Sequence, residues 1–255
     1  MPAAEKAPAT VHKAHQILSK VMRGAVEAGL IASSPCDRVP LPRIERGEIR
    51  FLTPAEVRVL ASTIDPRYRS FVLVGAYAGL RFGELAGLRR SRIDLMRGTV
   101  EVAEIVVEVS GVHTWGPPKT RAGKRTVPRP RSVVDKLQDH VAGLEPGELV
   151  FQAPEGGPLR ASLFRRRFFD PAVVSAGLNG LTPHGLRHTA VALWIAAGAS
   201  PLEVAHRAGH TSVVTVLDRY GHLLPKTEDT VTDVLETMIA GAVETERRAS
   251  ITRLR

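Results

Sequence analysis

The sequence predicts a mainly α-helical fold with a small antiparallel β-sheet, an α+β architecture. Two observations predict it. Apolar residues recur at helical spacing over most of the chain, whereas residues 99–128 alternate β-branched and polar residues around turn residues. Length sets the scale, since 255 residues suffice for one large domain or two smaller ones.

Taken in order, residues 1–10 are rich in Ala and Pro and are expected to be disordered. Residues 11–29 carry Ile17, Leu18, Val21, Met22 and Ala25 as the apolar stripe of a helix. Prolines 35, 40 and 42, then charges over 43–50, mark a linker. A single helix cannot bury its own stripe, so residues 1–45 are expected to be the end of a helical segment plus its linker. Residues 46–225 then form the main domain, and 226–255 a last helix and charged tail. Thr53-Pro-Ala-Glu56 is a capping box, and Val57, Leu60, Ala61 and Ile64 follow on one face. Residues 71–79 are almost all apolar and end on Gly79, which predicts a buried helix. Arg81 comes immediately afterwards, with Glu84 at i+3 as its local partner. Residues 99–109 read as one strand and 112–115 as its neighbour; a basic turn at 119–124 leads into a further strand at 125–128. Helices are expected at 132–144, 159–169, 201–207 and 212–220. Val231, Val234, Leu235, Met238, Ile239 and Ala242 mark the final one.

Composition narrows the partners. Lys and Arg total 35 against 26 Asp and Glu, a net charge of +9, and only 7 of the 35 are lysines. Such a chain prefers anions, nucleic acid first and membrane surfaces second. The single cysteine, Cys36, excludes an internal disulfide and a cysteine-rich zinc site. No apolar signal segment follows Met1, and the longest apolar run, 71–80, is far below the roughly 20 residues of a membrane span. A soluble, cytoplasmic protein is expected, with no membrane partner.

The chemistry concentrates in residues 181–220. Thr182 and Pro183 are an N-cap and a first-turn proline, and His184, Arg187 and His188 then share one helix face. A helix N-terminus favours anions, and arginine presents a planar donor fork to phosphate oxygens. Two histidines beside it can exchange protons near neutral pH. A phosphate-processing site is the reading these residues support by themselves.

His184-x-x-Arg187-His188, Gly209-His210 and Tyr220 ten residues later resemble the C-terminal signature of the tyrosine recombinases, also called the phage integrase family. Gly79-Leu-Arg81-Phe-Gly-Glu84-Leu and the basic hairpin with Pro118-Lys119-Thr resemble that family's remaining motifs, and the likeness covers roughly residues 50–225. It implies a catalytic domain that cuts and rejoins double-stranded DNA through a 3′-phosphotyrosyl intermediate, without cofactor or metal. Tyr220 would be the nucleophile, Arg81 and Arg187 the phosphate clamp, and Lys119 the leaving-group acid, with Lys124 as the alternative. His184 and His210 would move protons and bind phosphate, while Glu84 and His188 would support them. Self-association on DNA as a tetrameric synapse, with the C-terminal helix exchanged in trans, is also implied. Two departures stand out: Ala208 replaces the usual leucine before Gly-His, and the N-terminal core-binding segment is short.

Taken singly, these residues are weak signals; a tyrosine at a helix end is more often a core residue than a nucleophile. Order and spacing together carry the reading. Three rival readings share some of these residues. A zinc hydrolase could use His184, His188 and His210, but Gly185 stands where the glutamate of His-Glu-x-x-His belongs and Arg187 would repel a dication. A non-catalytic DNA-binding regulator would need only a basic surface, such as Arg160, Arg165, Arg166 and Arg167. A truncated or decayed recombinase would bind DNA without recombining it.

Overall fold

A computed structural model describes residues 6–44, 49–224 and 232–240. The chain divides into two compact units, Met1–Glu48 and Ile49–Arg255. In the first unit, helix α1 (Pro8–Glu27) starts on a proline, whose missing N–H is harmless in a first turn. Its packed side is polar: His12 Nε2 lies 2.8 Å from the Pro42 carbonyl oxygen, and His15 Nε2 3.1 Å from that of Cys36. Of the expected apolar stripe, Ile17, Leu18 and Val21 are exposed, and Met22 and Ala25 are half-buried.

In the second unit Thr53 and Glu56 cap each other at the start of α2 (Pro54–Thr63), with Glu56 N–H donating to Thr53 Oγ1 and Thr53 N–H to Glu56 Oε2. Helix α3 (Arg69–Ala78) is buried on nearly every side and packs along α8 (Pro183–Ala196), flanked by α2 and α5 (Arg131–Val141). Gly79 ends α3 at φ +63°, and a Cβ there would meet the Trp194 ring at 2.7 Å, so glycine is required twice over. The short α4 (Phe82–Ala86) follows at once. Phe82 anchors it, 5.9 Å from the Phe71 ring and 5.7 Å from Phe164. Tyr68, Phe151, Phe168 and Phe169 complete this aromatic cluster. Each fully buried ring stabilises the fold by about 1.5–3 kcal/mol, and the cluster fixes where Arg81 leaves the core.

The expected single sheet is two sheets. Strands β1 (Ile93–Asp94), β2 (Thr99–Val102) and β5 (Arg125–Pro128) form an antiparallel trio in the order β1-β2-β5. Strands β3 (Ile105–Val109) and β4 (Val112–Gly116) pair separately. The predicted 99–109 strand breaks because of its own alternation. Val100, Val102 and Val106 point inward, and the inward position between them holds Glu104. That carboxylate turns out to Arg89 at 3.2 Å, and the ladder ends there.

The predicted 159–169 helix also differs. Helix α6 (Ala161–Phe164) widens into a π turn over Arg165–Phe169 and continues as α7 (Asp170–Ser175). Pro171 cannot donate to the preceding turn and its ring crowds that turn's carbonyl, and a π turn accommodates both. The basic surface expected here is largely paired: Arg160 with Glu108, Arg165 with Asp170 and Arg167 with Glu155. Helices α9 (Pro201–Ala208) and α10 (Val214–Tyr220) close the unit. Residues 232–240 are helical, with Val234, Leu235, Met238 and Ile239 exposed. Val231, Ala242 and the tail from 244 lie outside the described residues. No described helix is long and apolar enough to cross a membrane.

Candidate active site

Two helix C-termini and a lysine-bearing turn converge where α8 presents its first turns. Thr182 Oγ1 accepts the Gly185 N–H and starts α8 as expected. From that start Arg187 enters the interior, 3% exposed. Its guanidinium donates to the carbonyl of Gly79, at the end of α3 (2.6 Å), and to that of Ala208, at the end of α9. Both are carbonyls left free at a helix C-terminus, where the dipole favours a cation. Among the described residues Arg187 forms no ion pair. Burial and the nearby Arg81 lower its pKa to about 9, so it stays cationic at neutral pH.

Arg81 lies beside it, bound to Glu84 at 2.9 Å and reaching the Gly209 carbonyl at 3.3 Å. The local Arg81–Glu84 pair is therefore real, but it is not Glu84's main partner. Arg125 holds both carboxylate oxygens, at 3.0 and 2.9 Å, with the two side chains 1% and 2% exposed. Burial alone would raise the Glu84 pKa, but Arg125 and Arg81 hold it below the usual carboxylate value. Sequence reasoning missed Arg125. A signal existed: it occupies an inward position of β5, in phase with Val127, where a charge demands a partner.

A cleft of about 450 Å³ opens over these groups, lined by Arg81, Glu84, Lys119, Thr120, His210 and Thr211 among others. Lys119 faces it and Lys124 does not. His210 joins through Arg187, whose Nη2 lies 3.1 Å from His210 Nε2. Since guanidinium only donates, His210 is neutral with its proton on Nδ1, which is buried without a partner among the described residues. Burial and Arg187 push its pKa down to about 4.

Tyr220, at the end of α10, is 2% exposed and packs near Phe51. Its hydroxyl is 2.5 Å from His188 Nδ1. Burial raises the phenol pKa, with Arg187 and Arg219 opposing. Burial and His184 drive the His188 pKa to about 4, so the imidazole is neutral and accepts the phenolic hydrogen bond. His184 stacks edge-on to His188 at 4.6 Å and is itself held below its ordinary pKa by burial and Arg187. Of the eight expected residues, Arg81, Glu84, Lys119 and His210 line the cleft, Arg187 is bonded to His210, and His184, His188 and Tyr220 form a stacked and hydrogen-bonded group. His188, expected in support, touches the phenol, whereas His184 reaches the site through His188. The histidines also fit a dication poorly, because His188 and His210 are committed to Tyr220 and Arg187 and a guanidinium lies among them.

Residues 50–227 match the profile of the phage integrase family. The integrase of Mycobacterium phage D29 is 30% identical over 219 residues, covering 80% of this chain and 56% of its own length. The ICEBs1 integrase of Bacillus subtilis is 28% identical over 238 residues, covering 87% of this chain and 64% of its own. The chain thus spans little more than half the length of these relatives. Among solved structures, the Tn1549 transposon integrase in complex with a circular intermediate DNA superposes with a TM-score of 0.76 at 21% identity, over 90% of this chain and 79% of that one. That likeness concerns the fold, and the expected α+β catalytic-domain architecture is the one observed. A family profile that spans most of the chain, together with this fold, is decisive: the protein belongs to the phage integrase family.

Proposed function

We propose that this chain is the catalytic part of a site-specific DNA recombinase that cuts and rejoins double-stranded DNA through Tyr220. The observation that carries the reading is a hydrogen-bonded phenol beside a buried guanidinium whose only acceptors among the described residues are two carbonyls and an imidazole. Such a cation lacks an anion, and a scissile phosphate supplies one. The orphan Nδ1–H of His210 offers a further donor to its oxygens.

The chemistry balances within the site. The Tyr220 oxygen attacks phosphorus while its proton passes to His188 Nδ1. Arg81 and Arg187 stabilise the charge of the five-coordinate phosphorane. The 5′-oxygen departs with a proton from Lys119, leaving a 3′-phosphotyrosyl ester and a free 5′-hydroxyl. A second 5′-hydroxyl then reverses each transfer: it gives its proton to Lys119, and Tyr220 leaves with the proton held on His188. Burial and His184 lower the His188 pKa most, and the arginine charges add to them, so a bound phosphate that offsets those charges raises its basicity in part. Ester energy is retained, and no cofactor is required.

Residues 1–45 read as the end of a core-binding segment and linker, and the catalytic domain as 46–225. The exposed side chains Val234, Leu235, Met238 and Ile239 suit exchange of the last helix between protomers in a tetrameric synapse on DNA. A nicked suicide substrate tests the central step. Wild-type protein should form a covalent adduct that Tyr220→Phe abolishes while DNA binding persists; an adduct that survives the substitution would exclude Tyr220 as nucleophile.

A further inference from the structure

Arg125 takes no part in the chemistry proposed above, yet it is the most fully engaged buried cation in the site. Its four hydrogen bonds are distributed over three separate elements. Nη1 and Nη2 hold the two oxygens of Glu84 on α4. Nε donates to the Arg207 carbonyl in the last turn of α9 (2.7 Å), two residues before Gly209-His210. Nη1 also reaches the Gly123 carbonyl (3.0 Å), in the turn Arg121–Gly123 that follows Lys119. Glu84 in turn fixes Arg81 twice, through its backbone N–H (2.8 Å) and its guanidinium (2.9 Å). Gly209 shows how tightly these parts fit. At φ +62°, a Cβ there would stand 3.0 Å from both Arg125 Nη1 and the Ala122 carbonyl oxygen.

We propose that Arg125 is a positioning residue: it sets Arg81, the lysine-bearing turn and the His210 turn in register for phosphate attack, acting through Glu84 and two backbone carbonyls. The inference rests on the recombinase reading above. A planar fork is needed, because one ammonium cannot span two carboxylate oxygens and two carbonyls of different elements. Displacing a reacting group by about 1 Å costs on the order of 10²-fold in rate. Arg125 binds neither phosphate nor phenol in this arrangement, so its loss should slow cleavage and leave DNA affinity nearly unchanged.

A purely structural role predicts something different, and two variants separate them. Arg125→Lys keeps the charge. It should bind DNA within roughly threefold of wild type but cleave on the order of 10²-fold more slowly. On a 5′-bridging phosphorothiolate, whose sulfur leaves without a proton, about tenfold or more of that loss should return, because part of the defect is a displaced Lys119. The double variant Glu84→Met with Arg125→Met replaces the buried pair by apolar groups, a change that often preserves stability. It should melt close to wild type and still cleave slowly, with Arg81 released. Equal slowing of Arg125→Lys on both substrates, or a double variant that cleaves within roughly threefold of wild type, would overturn the proposal. Lys119→Ala on the same substrates keeps the two readings distinguishable: if the phosphorothiolate rescues it but not Arg125→Lys, only the role of Arg125 falls.

Discussion

Arg81 and Arg187 are expected to make the same kind of contact to phosphate, yet the structure predicts that losing each does different damage to the fold. Arg187→Ala removes a side chain that is 3% exposed and strips the donor from two helix-terminal carbonyls, those of Gly79 and Ala208. Hydrogen bonds from a charged group contribute about 1.5–3 kcal/mol each. Part of that is offset because a desolvated charge also disappears, so a net loss of about 2–4 kcal/mol is expected. For a domain near 200 residues, 1 kcal/mol moves Tm by roughly 2–4 °C, which places the variant roughly 4–16 °C below wild type. The Arg81 side chain is 41% exposed, and Glu84 keeps both its bonds to Arg125 when Arg81 is truncated. Exposed ion pairs contribute about 0–1 kcal/mol, so Arg81→Ala should melt within roughly 4 °C of wild type. Both variants should fail to form the covalent adduct. Differential scanning calorimetry beside the suicide-substrate assay measures the two effects separately. If Arg81→Ala melts as low as Arg187→Ala, the view of Arg187 as a tie between α3, α8 and α9 is wrong.

Stability should also depend on pH through the histidines. His188 and His210 have folded pKa values of about 4 against 6.5, so their neutral forms give full stability above about pH 6.5. Below that the unfolded chain takes up protons the folded one refuses, and stability falls until about pH 4; an unchanged urea midpoint between about pH 7 and pH 5 would contradict this. Lys119→Ala should slow cleavage of a normal substrate strongly and of a 5′-bridging phosphorothiolate little, with Lys124→Ala nearly silent on both; the reverse pattern would transfer the acid role to Lys124. Cleavage should persist in excess EDTA, and a loss restored by zinc would favour the histidine metal site instead.

Much of the fold could be read locally. The Thr53–Glu56 box, the all-apolar run ending at Gly79 and the Thr182-Pro183 start are decided by residues within a turn of one another, and they form as expected. What escaped depends on partners far along the chain. The apolar stripe of α1 was legible, but the contacts of His12 and His15 with the carbonyls of Pro42 and Cys36 were not, because those acceptors lie 30 and 21 residues further on. The 99–109 strand looked continuous because its composition is uniform; only the phase of the alternation, which sets Glu104 inward, tells where it breaks.

The site shows the same division more sharply. Helical spacing placed His184, Arg187 and His188 on one face, but a face does not say which imidazole meets a phenol 32 residues later; α10 crosses at the level of His188. Likewise Glu84 has an arginine at i−3, and local reasoning stops there, although the arginine that holds it fully lies 41 residues away. The preference for Arg125 has a physical cause. The Arg81 side chain is 41% exposed, and in the proposed role its outer surface is kept for phosphate, so it shares Glu84 without neutralising it in a buried setting. A second guanidinium, fully enclosed, carries that task and leaves the first available. The same division separates Arg187 from Arg81: one arginine is tied to helix ends and the other reaches into the cleft. A site made of cations alone would repel itself open; this one is held by carbonyls and one shared carboxylate.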